Sequence, residues 1–498
     1  MERLHDACGV VGIYAQRADE GPDVRSYLTL ALTALQHRGQ ESAGMAVYDS
    51  EGHIAHRIAM GKVRDVFQDS GMSLPFTHCG IGHVRYSTTG SSCVENAGPF
   101  IVGSRRGHYD TIAVAHNGNL VNGPALREMI PEDILSSTTD SEVIALMLLY
   151  AEGETLRERM ITTFPLLRGA YSLVILSEGR LYAMRDPWGM RPLCIGRIGD
   201  SWIVASESCA LDRTGATYVR EVEPGELITI DEQGLRGEIL VRLPRQSLCV
   251  FEYIYFSDAT SEIHGRYTYT VREALGRELA KEHPVEADLV APVPDSSIPA
   301  ALGYAEQSGI PYGKAIIKNR YTDRTFIKPD QRLRQLEVDL KFNMVKPNIA
   351  GKRLVIVDDS IVRGNTMKRL VAALRRHGAK EIHLRSSSPP LRHPCYFGID
   401  IPQEAELIAA GRSIKEVADY IGVDSLGYLS TAGLGRALHS ATSNDPLPDN
   451  NAALKLLHSE FCYGCMEKHG WPFDPMAEIN HSRQRLPVIP QGAVTRRS

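Results

Sequence analysis

Apolar residues recur in two rhythms along this chain, and their alternation sketches the fold before any chemistry is considered. Leu354-Val355-Ile356-Val357 is a run of four apolar residues ending at a turn, the pattern of a buried parallel strand. Met367, Leu370, Val371 and Leu374 follow at helical spacing, and Gly378 supplies a stop. The same sequence of elements occurs earlier, where the short apolar strand 287–292 runs into the turn Pro294-Asp295-Ser296-Ser297, which opens a helix. Nearer the start, Cys8-Gly9-Val10-Val11-Gly12-Ile13-Tyr14 reads as a strand. A second strand, 111–115, precedes His116-Asn117-Gly118-Asn119, and a helix over 143–150 is announced by Thr139-Asp140-Ser141-Glu142. Turns at 223–226 and 231–237 close this first half, and residues 241–246 form an Arg- and Pro-containing connector. Arg-, Gln- and Pro-rich residues 482–498 show little apolar periodicity, so the tail from 476 is expected to be disordered.

Composition narrows the class. A length of 498 residues allows two to four domains, each with its own core. Hydrophobic residues at 43% and charged residues at 23% are ordinary for a globular protein. The net charge of −5 gives no reason to expect nucleic acid or an anionic membrane as partner. No apolar run approaches the roughly 20 residues that span a bilayer, and Met1 to Ala7 is too short and polar for a signal peptide. The expected location is therefore cytoplasmic. Nine cysteines at irregular spacing do not form a secreted disulfide pattern.

The chemistry of the second half centres on Val357-Asp358-Asp359-Ser360-Ile361-Val362-Arg363-Gly364-Asn365-Thr366. A strand, an acidic and glycine-containing turn and a helix together make an anion cradle, because backbone N–H groups and the helix dipole face a phosphate. Paired carboxylates accept hydrogen bonds from ribose hydroxyls or hold a hard divalent cation. The segment resembles the ribose-pyrophosphate signature of the type I phosphoribosyltransferases, an α/β fold with a parallel sheet. The resemblance implies that Asp358, Asp359, Ser360, Val362, Arg363, Gly364, Asn365 and Thr366 bind phosphoribosyl pyrophosphate. It also implies that Ser296, Asp358 and Asp359 hold one Mg²⁺ per subunit. Residues 316–331, basic and punctuated by aromatics, read as a lid over a polyanion; Arg334, Lys341 and Asn343 extend the basic theme.

In the first half, Cys8 would carry both a thiol and a free α-amine if residues 1–7 were removed. An amine titrating near pH 8 could then activate its own thiol. Residues 36–44, Gly82-His83-Val84-Arg85-Tyr86-Ser87-Thr88, His116 to Asn119 and Thr139 to Glu142 are polar segments in series. With residues 185–193 and Ser206-Glu207, they resemble the class II glutamine amidotransferases, whose N-terminal-nucleophile fold is an α+β αββα sandwich. The resemblance implies that Cys8 is the nucleophile and that Asn117 and Gly118 form an oxyanion hole. It further implies that Arg85 and Thr88 bind the glutamine carboxylate, that Asp140 binds its amine, and that residues 1–7 are a propeptide.

Both halves in this order resemble a family of two-domain amidotransferases that pass ammonia from glutamine to phosphoribosyl pyrophosphate, the first committed step of purine synthesis. The expected organisation is a propeptide at 1–7, a glutaminase domain at 8–240, a phosphoribosyltransferase domain at 241–475 and a disordered tail at 476–498. The family implies a homotetramer and purine nucleotides as feedback inhibitors. A different class II amidotransferase has no use for Asp358-Asp359. A non-catalytic binder of phosphoribosyl pyrophosphate has no use for Cys8, Arg85, Asn117 and Asp140 together.

Cys462-Tyr463-Gly464-Cys465 is a C-x₂-C pair, open to redox, zinc or no metal at all. Cys249, Cys395, Cys462 and Cys465 match the iron–sulfur branch of the family, which implies one [4Fe–4S] cluster per subunit; the ligand set alone suits zinc equally. Cys79, Cys93, Cys194 and Cys209 are expected to be packing residues. Two departures from the family pattern are Asn365, where Thr is usual, and Ser257-Asp258-Ala259-Thr260, which bears on the domain junction or on nucleotide feedback.

Overall fold

The computed structural model describes residues 8–16, 23–67, 74–86, 91–103, 111–319, 342–401, 403–443 and 445–482. Two antiparallel sheets face each other in the first half. The seven-stranded sheet runs, in spatial order, Thr217–Glu221, Cys194–Ile198, Ser201–Ala205, Gly9–Tyr14, Cys79–Arg85, Ser42–Tyr48 and Ile54–Met60. The six-stranded sheet runs Gly234–Ile239, Glu226–Asp231, Arg180–Arg185, Gly169–Ser177, Thr111–Leu120 and Phe100–Gly103.

Period-two alternation sorts the side chains of these strands into layers. From Gly9–Tyr14, Val10 and Tyr14 join Ala113, Ala115, Val174 and Leu181 between the sheets. Val11 and Ile13 point the other way, onto Leu28, Ala31 and Leu32 of helix Val24–Ala34. Across the sandwich, Ile112, Val114, Tyr171 and Leu173 meet Ile144 and Leu148 of helix Asp140–Tyr150. The result is the expected αββα order. Gly12 lets the two sheets approach, since a Cβ there would lie 2.6 Å from Val174 Cγ1.

The second half holds a parallel sheet in the order Leu289–Pro292, Arg353–Asp358, Glu381–Ser386 and Ser425–Tyr428. Separate apolar clusters cover its two faces, as a parallel sheet requires. Helix Ile298–Ser308 follows its first strand and helix Asn365–Arg376 follows its second. Both active loops therefore leave the carboxyl edge of the sheet side by side, where ligands of open α/β folds bind. Among the described residues, no helix is long and apolar enough to cross a membrane.

Two expectations are corrected. Strand Thr111–Leu120 does not stop at 115 but runs through Asn117 and Gly118, which therefore lie in the sheet rather than in a turn after it. The ladder continues because residue 118 is glycine. It adopts φ +152°, and a Cβ there would sit 1.9 Å from the Ala170 carbonyl oxygen. The tail does not lose structure at 476 either: Pro475–Ser482 is a helix. Asp474 Oδ1 accepts from Met476 N–H at 2.9 Å, Ile479 packs on an apolar cluster with Trp188 and Phe397, and Glu478 lies 3.6 Å from Arg168. Residues 483–498 are outside the described residues, as are 1–7 and Thr88.

Candidate active sites

Cys8 stands at the start of strand Gly9–Tyr14, whose Gly9 is in register with Val84, so the thiol lies at the level of Arg85. The register is pinned from the other edge, where Val10 N–H donates to Ser206 Oγ at 2.9 Å. Burial pushes the Cys8 thiol up; the nearby Arg85 charge pulls it back and Asp140 adds to the rise. Cys8 Sγ lies 3.7 Å from the carbonyl of Tyr86, the residue after Arg85. Arg85 is buried, with Nη1 3.4 Å from the Ser91 carbonyl and 4.0 Å from Glu41.

Asp140 opens its helix behind Thr139, whose hydroxyl caps Glu142 N–H. One Asp140 oxygen accepts from Leu120 N–H at 2.8 Å, and the other lies 3.7 Å from His116 Nδ1. Asn117 is fully buried, and neither its Nδ2 nor its Oδ1 has a partner among the described residues. His83 and His116 tie the two sheets together beside it, His83 Nε2 lying 3.1 Å from the His116 carbonyl. Burial holds His83 neutral, its pKa down to about 3, with Arg85 and His116 contributing.

In the second half, Asp358 and Asp359 are buried at the end of strand Arg353–Asp358. Their partners come from the neighbouring loop. Ser296 Oγ donates to Asp359 Oδ2, and Ser297 Oγ donates to Asp358 Oδ1 at 3.3 Å. Ser297 stands in the same turn, whose small hydroxyls at a helix start suit pyrophosphate; its bond to Asp358 is seen only in the fold. Ser360 Oγ donates to Asp359 Oδ1 at 3.0 Å. Among the described residues, the backbone N–H groups from Ser360 to Gly364 make no hydrogen bond to protein. This open row ends at Gly364, φ +78°, which turns the chain into helix Asn365–Arg376.

Not every expected side chain faces that cradle. Val362 is buried in the apolar core, so it presents only backbone. The Arg363 guanidinium is paired with Glu406 at 2.7 Å, and Asn365 Oδ1 accepts from Tyr420 OH at 2.6 Å. Of the expected lid, residues 316–318 pair with Phe342–Met344 in a two-stranded ribbon that includes Asn343. Residues 320–341, with Arg334 and Lys341, lie outside the described residues.

Cys249, Cys395, Cys462 and Cys465 line one cavity with Arg191, Phe397 and Trp471. Strand Leu248–Cys249 pairs in parallel with Phe461–Cys462, which sets Cys249 opposite Cys462. All four thiols are free, and burial pushes each of them up. No three of their Sγ atoms come within 4.8 Å of one another. Of the remaining cysteines, Cys79, Cys194 and Cys209 are buried and Cys93 is half-buried.

A sandwich with a strand-initial cysteine, followed by a parallel sheet with a paired-carboxylate loop, defines a glutamine amidotransferase joined to a phosphoribosyltransferase. Comparison with known proteins agrees at both ends: residues 95–213 match a glutamine amidotransferase domain and residues 268–387 a phosphoribosyl transferase domain. The amidophosphoribosyltransferase of Archaeoglobus fulgidus is 46% identical over 87% of this chain and 94% of its own length. That of Bacillus subtilis is 45% identical over 87% of this chain and 90% of its own. A solved structure of the B. subtilis enzyme, complexed with ADP and GMP, superposes with a TM-score of 0.84 at 40% identity, covering 94% of this chain and 98% of that one. The chain belongs to the amidophosphoribosyltransferase family and is an enzyme, a glutamine amidotransferase and pentosyltransferase in one polypeptide.

Proposed function

We propose that Cys8 opens glutamine and that the ammonia released attacks phosphoribosyl pyrophosphate over Asp358-Asp359. As a family member the chain forms 5-phosphoribosylamine, glutamate and pyrophosphate. The assignment of roles to single residues is our own reading. The observation that carries it is the Asn117 amide, buried and without a partner among the described residues, next in the strand to His116, which lies 3.7 Å from Asp140. A buried amide without a partner is unfavourable by about 1–3 kcal/mol, so it is best explained as waiting for a ligand atom.

In this reading residues 1–7 are a propeptide whose removal frees the Cys8 amine. That amine takes the proton that burial otherwise keeps on the thiol. Sγ attacks the side-chain amide carbon of glutamine, and Asn117 with Gly118 stabilises the oxyanion. Ammonia leaves, a thioester remains, and water releases glutamate. Arg85 and Thr88 hold the substrate carboxylate and Asp140 its ammonium.

At the second site, Ser360 to Gly364 offer open N–H groups to the 5-phosphate, and the adjacent carboxylates face the ribose. Ser296, Asp358 and Asp359 supply hard oxygens suited to Mg²⁺, which when bound neutralises pyrophosphate charge. Ammonia gains its advantage from position rather than covalent help. It travels inside the protein in this scheme, because in water at neutral pH it would be protonated.

Cys249, Cys395, Cys462 and Cys465 are read as holding a [4Fe–4S] cluster, which places the chain in the iron–sulfur branch. Tetrahedral zinc at ~2.3 Å from each sulfur brings thiols to ~3.8 Å from one another, whereas no three of these Sγ atoms come within 4.8 Å of one another. A cubane spaces its ligands more widely. Its function in this chain is to tie residues 249, 395 and 462–465 together. A homotetramer and inhibition by purine nucleotides belong to the same reading; the B. subtilis relative carries ADP and GMP.

The test is phosphoribosylamine formation by anaerobically purified protein, with glutamine or with ammonia. Cys8→Ala should abolish the first and spare the second. Loss of both in a folded protein would refute the two-site reading.

A further inference from the structure

Behind Cys8 lies a buried ionic group, drawn from both halves of the chain, that neither reaction uses directly. Arg38, wholly buried, follows helix Val24–Ala34 and the short 3₁₀ turn Leu35–His37. Its Nε donates to the main-chain carbonyl of Cys8 at 3.2 Å. Nη1 meets Glu207 at 2.5 Å and Glu252 at 2.9 Å, and Nη2 meets the second Glu252 oxygen at 2.9 Å.

Glu207 belongs to the sandwich. Glu252 lies beyond the connector, on the π-helical turn Glu252–Phe256, whose neighbours Phe251, Tyr253 and Ile254 sit in the core of the second half. Single π turns occur often at functional sites. Glu252 also accepts from Arg191 Nη1 at 3.1 Å and from Ser257 Oγ at 2.8 Å. Two arginines and two glutamates cancel in charge, which allows all four to be buried. The far side of the turn is held by Arg272, which donates to the carbonyls of Tyr253 at 2.8 Å and Ser257 at 2.7 Å.

The guanidinium is planar, so carboxylates fixed along one edge aim the remaining donor. Glu252 takes both terminal nitrogens of Arg38 and leaves Nε directed at Cys8. We propose that Glu252 is a positioning residue for glutamine cleavage: through Arg38 it fixes the main chain at Cys8, so the phosphoribosyltransferase half sets the attack geometry in the glutaminase half. The proposal rests on reading Cys8 as the nucleophile.

Glu252→Gln keeps the shape and removes the charge. In the full-length protein, kcat with glutamine should fall about tenfold, with the glutamine KM and the ammonia-dependent rate changed less than about twofold. Alkylation of Cys8 by a diazoketone analogue of glutamine should slow in parallel. Ser257→Ala removes one donor from Glu252 and should move the same quantities in the same direction by about threefold; it decides the matter if Glu252→Gln does not fold. Equal losses with glutamine and ammonia, or an unchanged alkylation rate, would overturn the proposal. Glutamine-dependent turnover by Cys8→Ala would instead overturn the nucleophile reading on which it stands.

Discussion

Cys249 and Cys462 stand opposite each other in a parallel pair of two-residue strands, joining the start of the second half to its end. Cys465 follows three residues later, and Cys395 completes the ring around one cavity. If these thiols hold a cubane, anaerobic protein should contain about four irons per chain and absorb broadly in the visible. Cys462→Ser should lower the iron content and expose the segment around residues 461–482 to protease. Stoichiometric zinc without iron would contradict the cluster.

Asn117→Ala removes a proposed oxyanion donor while leaving strand Thr111–Leu120 its backbone ladder. The glutamine-dependent kcat should drop ~10²–10³-fold, with ammonia-dependent synthesis retained. Steady-state rates with the two nitrogen donors settle it; parallel loss of both would remove Asn117 from the glutaminase centre.

Asp358→Asn should reduce synthesis from glutamine and from ammonia alike, by at least about a hundredfold, since both pass through the same ribose site. Gly364→Ala tests the loop differently. At φ +78° a side chain is strained, and its Cβ would lie 2.4 Å from Ile408 Cδ1. The expected result is a raised KM for phosphoribosyl pyrophosphate and a stability loss of about 1–2 kcal/mol.

His83 supplies a pH dependence. Burial, with Arg85 and His116, lowers its pKa from 6.5 to about 3. Because the folded pKa is depressed, its contribution to stability is present above pH 6.5. As pH falls below that, the unfolded chain takes up a proton that the folded one refuses. Stability should decline by up to about 1.4 kcal/mol per pH unit until the folded pKa is reached. Denaturant unfolding of the protein and of His83→Asn at pH 7 and pH 5 should show a smaller pH effect in the variant.

What the sequence alone makes legible at these sites is the chemistry that is local. The strand, acidic turn and helix around Asp358-Asp359 appear in consecutive residues, because a phosphate cradle is built from one loop. Cys8 and the His116 to Asn119 segment stood out as polar groups at the ends of apolar runs. The extent of strand Thr111–Leu120 did not, because the continuation depends on Gly118 meeting Ala170 across the sheet. The helix Pro475–Ser482 escaped for the same kind of reason, its residues being fixed by partners far away in sequence. Ser257 and Asp258, a departure expected to bear on the domain junction or on nucleotide feedback, bond at that junction: Asp258 N–H donates to Glu207 at 2.8 Å and Ser257 Oγ to Glu252 at 2.8 Å.

By itself, then, the sequence determined two chemistries and their order along the chain, since periodicity and local motifs are written in neighbouring residues. The tertiary structure alone decided that Arg38, Glu207 and Glu252, separated by up to 214 positions, close into one buried ionic group behind Cys8. Charges of this kind carry no periodicity. They are recognisable only once folding removes water from around them and leaves each with the other as partner.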